Sequence, residues 1–428
     1  MFSLLSFNNR QEINQSVYFV CLGLVVSTLP FQIHPNSVAV LLLSAHWLME
    51  GNFSQKFQRL WQNKTALWLL AFFGLQVIGW AYTSNQAKVW GIFEKELSFL
   101  ALPLIIASSA PLSHQKVQFL FKIFVLACLL ASVSCLIANG YHTYNTGCWE
   151  TFNPLNLSNE SHFWGDGLTH FIENSPICFS LYIAFCQFFI VQNTSKHWQQ
   201  LSNLHKSLRL LLLLYFNVFM VMLSSMGSMG GFFLVSIVFL FFYAFSKKYY
   251  LLVFSMIGIF IVLNVSLIFL IPQTKTKIES VLRQPLKATD DEKIRNSLTL
   301  RMAKWESAWE IIQKNMFFGV GTGDAEDALE AMYKQKNYQY LYQMRFNAHN
   351  QFLQTWVTFG LVGLLVFAMG IFPAMIQAFR QKDYLYVCWL LVFVLVCQIE
   401  CLLEINKGIV FYALFNAIFS NRLIHKNL

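Results

Sequence analysis

The chain has 428 residues, 56% of them hydrophobic and 12% charged, with 43 phenylalanines, a net charge of +9 and a mean hydropathy of +0.49. A soluble protein carries about 25% charged residues, so a soluble enzyme is excluded, and the basic balance is not that of a nucleic-acid-binding domain. Apolar runs of about 20 residues, each enough for a hydrocarbon core of roughly 30 Å, recur along the whole chain and predict an all-α polytopic membrane protein.

Hydropathy and turn signals place twelve spans at about 16–32, 34–50, 66–82, 97–112, 119–140, 171–192, 209–224, 231–246, 250–271, 351–378, 384–400 and 405–421. With the N-terminus inside, the N-terminus, the C-terminal tail and the short loops on their side hold 15 basic residues, among them Lys56, Arg59, Lys116, Lys206, Arg209, Lys247, Lys248, Arg380 and Lys426; the short loops opposite hold 3, Lys88, Lys95 and Lys407. The positive-inside rule then puts both termini in the cytoplasm. The other basic residues lie in one long outer loop, about 272–349, and long loops cross regardless of charge. The chain divides accordingly into 1–271 with nine spans, 272–349 as a loop with amphipathic helices, and 350–428 with three spans and a cytoplasmic tail. No short charged region precedes a cleavage site, so the first span is expected to be uncleaved. The cysteines, mostly inside apolar spans, show no metal or disulfide spacing and read as buried small hydrophobes.

Three outer segments are polar enough to build a site. Residues 141–170, "YHTYNTGCWETFNPLNLSNESHFWGDGLTH", mix aromatics with amides, a composition that suits sugar faces and hydroxyls but equally describes an interfacial loop. In the long loop, "TLRMAKWESAWEIIQKNM" (299–316) places Met302, Trp305, Ala308, Trp309, Ile312 and Met316 at offsets of three and four, which predicts an amphipathic helix. Arg301 stands one turn before Trp305 on that stripe, either as an interface anchor or as an anion clamp; Lys304, Glu310 and Lys314 on the opposite face read as solvated. "GVGTGD" follows, with Gly319, Gly321 and Gly323. A dinucleotide fingerprint needs a strand before its glycines, and here a helix precedes, so the run reads as a helix stop with Asp324 as N-cap of the next helix.

The third segment, "RFNAHNQFLQTWVTFGLVGLL" (345–365), sets Arg345, Asn347, His349 and Asn350 against an apolar run. Asn347 and Asn350 suit the start of a helix. His349 is either a structural residue at that start or a general base, since imidazole is the side chain that ordinarily changes charge near neutral pH. Glu400 and Glu404, followed by Lys407, fall at the outer rim, where ionisable groups are functional candidates. Away from that edge the spans carry almost no charge, which argues against an ion-coupled transporter.

The stretch "RMAKWESAWEIIQKNMFFGVGTGDAEDAL" followed by "FNAHNQFLQTWVTFGLVGLLVF" resembles the Wzy_C-type region of the O-antigen ligase and polymerase superfamily, and "FEKELSFLALPLII" and "ECLLEINKGIVFYALFN" are similar to further parts of it. The resemblance implies a GT-C-like, metal-independent, inverting glycosyltransferase that needs no cofactor. Its donor would be a glycan on undecaprenyl diphosphate and its acceptor a hydroxyl, on the lipid A–core of lipopolysaccharide in the ligases. Under that resemblance His349 takes the acceptor's proton, Arg301 holds the diphosphate, and Asn350, Glu400 and Glu404 support them. The sequence departs from the family at two cationic positions, with Met226 in "MLSSMGSMGGFF" and Ile405 in "EINKG", which leaves Lys407, Lys95 and Arg345 as further candidates for the diphosphate. A polysaccharide polymerase or protein O-oligosaccharyltransferase of the same superfamily, a lipid-linked sugar transporter, and a non-catalytic relative are the alternatives.

Overall fold

The computed structural model describes residues 10–147, 163–247, 287–292 and 296–424, with the isolated positions 258, 261, 262, 265 and 279. The ninth expected span, most of the start of the long loop, residues 148–162, Lys248 and Lys426 lie outside the described residues, the four positions from 258 to 265 excepted. Every regular element among the described residues is helical: α1 (Arg10–Thr28), α2 (Ile33–Glu50), α3 (Phe53–Gln62), α4 (Lys64–Trp80), α5 (Gln86–Ser108), α6 (His114–Thr146), α7 (Pro176–His197), α8 (Asn203–Met222), α9 (Met226–Lys247), α10 (Ser297–Lys314), α11 (Ala325–Gln335), α12 (Gln339–Met344), α13 (Gln351–Arg380), α14 (Tyr384–Cys397) and α15 (Asn406–Ile424), with one-turn pieces between.

Among the described residues, four helices are long and apolar enough to cross a membrane, at His114–Thr146, Pro176–Gln200, Asn203–Met222 and Gln351–Arg380; Lys64–Trp80, Gly227–Leu240 and Tyr384–Cys397 are shorter apolar helices. Two ends differ from expectation in ways that matter for the site. Helix α5 starts at Gln86 rather than at 97, so Lys88, Lys95 and Glu96 ride on its first turns. Helix α14 stops at Cys397, so Glu400 belongs to the connection that follows and not to the helix.

The chain forms two compact units. The first takes Met1–Ile123, Leu286–Asp383 and Cys397–Leu428; the second takes Phe124–Pro285 and Tyr384–Val396. In the second, Phe124, Phe179, Tyr182, Phe185 and Phe219 pack edge to face between α6, α7 and α8. Pro176 opens α7 at the position where a missing N–H costs nothing.

In the first unit α15 packs on α5 and α13 on α4. Phe72 sits among Phe99, Phe359 and Phe367, and Tyr412 lies against Phe99. Helix α15 is buried around nearly its whole circumference, which is why it reads as apolar on all sides. Its few polar groups are used: Tyr412 OH and Asn416 Nδ2 both donate to the Gly370 carbonyl, at 3.3 and 3.2 Å.

Helix α13 is not continuous. Gly360 has φ 66° and ψ −161°, and the helix breaks there into 351–359 and 361–380. The segment after α10 threads into the break. Leu361 N donates to Met316 O at 2.8 Å, Val320 N to Val357 O at 2.9 Å and Gly321 N to Thr358 O at 3.0 Å. Backbone groups freed by the interruption are thereby paired again, as irregular backbone at membrane depth requires. A Cβ on Gly360 would collide with the Phe317 carbonyl, and one on Gly319 with that of Thr358. The 20 residues from 361 to 380 extend about 30 Å, enough to cross a hydrocarbon core without the first two turns. Those first turns are free to carry a site.

Candidate active site

Helix α10 begins with a capping box: Asn296 Oδ1 accepts from Leu298 N and Thr299 N, and Thr299 Oγ1 accepts from Asn296 N. Its inward face is rotated by one residue from the expected stripe. Ala303, Lys304, Ser307, Ala308, Ile311 and Ile312 are buried, while Trp309 and Met316 are exposed. Small residues at 303, 307 and 308 let α10 approach its neighbours closely, and the aromatics flank that seam, Trp309 meeting Trp356 edge to face at 5.7 Å. Lys304, expected on the solvated face, is therefore inside; Lys314 is exposed as expected.

The G-V-G-T-G run is the clasp that locks this loop onto α4 and α5. Thr322 Oγ1 donates to Gln76 O at 2.8 Å, and Gly323 N donates to Thr83 Oγ1 at 3.0 Å. Asp324 stands at the N-cap position of α11, yet its carboxylate does not cap that helix. It accepts instead from Ser84 N and Asn85 N, both at 2.7 Å, holding the entrance to α5. Burial pushes this carboxyl up, and those two amides outweigh it and hold it below its ordinary value. Lys88 adds ion pairs to Glu326 and Asp327 at 2.8 and 2.6 Å.

Asn350 is the N-cap of α13, its Oδ1 accepting from Phe352 N and Leu353 N at 3.0 and 3.1 Å. Its amide nitrogen donates to Gln398 O at 2.9 Å, tying the helix start to the connection that follows α14. Asn347 accepts from His349 N at 3.1 Å, and His349 itself is left-handed at φ 44°. Trp305 Nε1 donates to the His349 carbonyl at 3.3 Å. With its backbone held at both the N–H and the carbonyl, the imidazole lies 3.2 Å by Nδ1 from Glu400 Oε2, and the two side chains are 22% and 9% exposed.

Burial pushes the Glu400 carboxyl up, but the bond and charge of His349, the Cys401 N–H and Arg301 together draw it below its ordinary value. A carboxylate on Nδ1 keeps the proton there and leaves Nε2 as the acceptor, the tautomer a general base needs. Arg301 donates from Nε to Ile399 O at 3.2 Å and from Nη1 to Ser297 O at 3.4 Å, beside the same carboxylate.

The expected site residues thus divide. His349, Asn350, Glu400 and Arg301 come together around the 346–350 turn and the 398–401 connection. Glu404 lies near Gln354 and Lys95, and Gln354 accepts from Ala348 N at 3.0 Å, which links that pair to the histidine turn. Arg345 is on the surface, its side chain 63% exposed and 3.5 Å from Glu330. Lys407 is buried at the start of α15 and donates to the Phe31 carbonyl. Sequence reasoning missed Gln76, which donates to Glu96 at 2.6 Å between α4 and α5, and it missed the inward side of Lys304. For Lys304 the signal was present in Ala303, Ser307 and Ala308, small residues on one helical seam.

No curated protein matches the chain. The stretch from within α8 to the Gly360 break, with the clasp and His349, does have a counterpart: residues 210–368 match the Wzy_C family model, described as O-antigen ligase, and that match supports the O-antigen ligase superfamily.

Proposed function

We propose that the chain is a glycosyltransferase that moves a glycan from undecaprenyl diphosphate to a hydroxyl acceptor, the lipid A–core of lipopolysaccharide, at the periplasmic face of a bacterial inner membrane. The family match supports a lipid-linked glycan ligase or polymerase, and the twelve-span, N-in reading of the sequence sets His349, Glu400 and the start of α5 on the outer side. The observation that carries the reading is the buried Glu400 on Nδ1 of His349, with Arg301 beside them.

In this scheme the acceptor hydroxyl lies against Nε2 of His349. As its oxygen attacks the anomeric carbon, its proton passes to the imidazole, and the bond from that carbon to the diphosphate oxygen breaks with the electron pair left on the diphosphate. A single displacement inverts the anomeric centre. Glu400 stabilises the imidazolium that forms, and the guanidinium of Arg301 faces charge developing on the leaving group. Arg345 and Lys95, both exposed, are the candidates for the outlying phosphate or sugar, whereas the buried Lys407 holds the Phe31 carbonyl.

The test is in vitro transfer with purified protein, a defined undecaprenyl-diphosphate glycan and lipid A–core, with and without chelator. Transfer that survives chelation and is lost in His349→Ala is expected; unchanged transfer in that variant overturns the assignment. A longer lipid-linked glycan with no attached product identifies the polymerase alternative.

A further inference from the structure

Helix α10 carries a second cation, one turn beyond Arg301, that the scheme above does not use. Lys304 is 4% exposed, and its Nζ lies 3.7 Å from the centre of the Phe346 ring. Among the described residues it has neither a hydrogen-bond acceptor nor an ion-pair partner. The elements around it are all in the site: Arg301 on its own helix, Glu400 and Cys401 from the connection after α14, and Phe346 from the turn, whose ring meets that of His349 edge to face at 5.5 Å.

A charged amine in such a place is expensive, because a π face replaces only part of its lost hydration. Burial accordingly pushes the Lys304 ammonium down to about 7, with Glu400 offsetting part of the effect and Arg301 adding to it. The carboxylate is already committed to His349 and the Cys401 N–H, at 3.2 Å each. Among the described residues, what the position lacks is an uncommitted anion. A purely structural role on the seam of Ala303, Ser307 and Ala308 calls for an apolar side chain, and a purely solvated role calls for exposure; Lys304 has neither.

We propose that Lys304 is a ligand of the donor's diphosphate, taking up a proton from solvent as that group binds. The inference rests on the polyprenyl diphosphate reading above. It adds a cation that arrives with the substrate: at the mildly alkaline pH of the test the amine is mostly neutral in the empty site, becomes an ammonium against the diphosphate, and stays charged while the leaving group gains its extra negative charge.

The test is calorimetry on the full-length protein in detergent with farnesyl diphosphate as probe, at about pH 8, in two buffers of different ionisation heat, so that proton uptake is read directly. The wild type is expected to take up about one proton per probe bound. Lys304→Met and Lys304→Gln are expected to bind about 10- to 100-fold more weakly and without uptake, and Lys304→Arg, with a fixed charge, to bind without uptake. Binding in both neutral variants within about twofold of wild type overturns the proposal, as does uptake that persists in them and disappears in His349→Ala. A wild type that does not bind the probe at all overturns the donor reading together with this one, whereas intact binding in the neutral variants overturns this one alone.

Discussion

Replacing Glu400 by glutamine changes one charge and almost no volume, so it isolates what the carboxylate does for His349. The amide oxygen still accepts from Nδ1, which keeps the tautomer. What is lost is the negative charge 3.2 Å from the ring at the moment the imidazole becomes a cation. Hydrogen bonds to ionised partners contribute about 1.5–3 kcal/mol, and the pair is largely out of water, so screening removes little. The barrier is expected to rise by about 1.4–2.7 kcal/mol, a 10- to 100-fold fall in kcat. Because the charge matters most in the transition state, KM for the donor is expected to stay within about threefold.

Single-turnover and steady-state transfer by purified protein read both constants. An unchanged kcat in a variant that melts like the wild type, or a change confined to KM, refutes the role given to Glu400. The same substitution has a signature in stability. The folded carboxyl is more acidic than in the unfolded chain, so its contribution is fully present above the unfolded value of roughly pH 4.3 and is lost as pH falls through the folded one. Glu400→Gln removes that acid-side slope.

Three further substitutions test the framework around the pair. Gly360→Ala sets a Cβ against the Phe317 carbonyl at φ 66°; it is expected to cost about 2–3 kcal/mol in a melting measurement and to abolish transfer by freeing the clasp, and a stable, active variant refutes the broken-helix account. Asp324→Ala leaves Ser84 N and Asn85 N without their acceptor and is expected to cost about 1–2 kcal/mol near neutral pH. Since this carboxyl is held below its ordinary value, the difference from wild type shrinks as pH falls through its folded value, followed by thermal melts at several pH values. Arg345→Ala, at an exposed pair 3.5 Å long, is expected to change stability by less than about 0.5 kcal/mol; a drop in transfer at unchanged stability assigns that guanidinium to substrate.

Much of this architecture follows from local chemistry. A charge-poor chain with long apolar runs has to satisfy its backbone internally, and helices do that within one segment, so the helical class is set by composition alone. Asn296 and Asn350 start their helices because an amide oxygen reaches the free N–H groups one turn on, whatever surrounds them. Periodicity likewise shows that 299–316 is a helix with two faces, and places His349 against the start of a long apolar helix. These are interactions over three or four residues, and a sequence displays them directly.

What the tertiary structure decided lies between residues far apart in the chain. The inward face of α10 is one residue away from its most apolar stripe because close approach favours Ala303, Ser307 and Ala308 over Trp309, and that rotation is what buries Lys304. The interruption at Gly360 exists because the 316–321 backbone fills it, and Asp324 abandons its own helix for amides some 240 positions earlier. Glu400 reaches His349 across 51 residues only because α14 stops at Cys397 and Asn350 ties down Gln398. Burial and charge pairing at such separations depend on which segments meet in space, and no local pattern encodes that meeting.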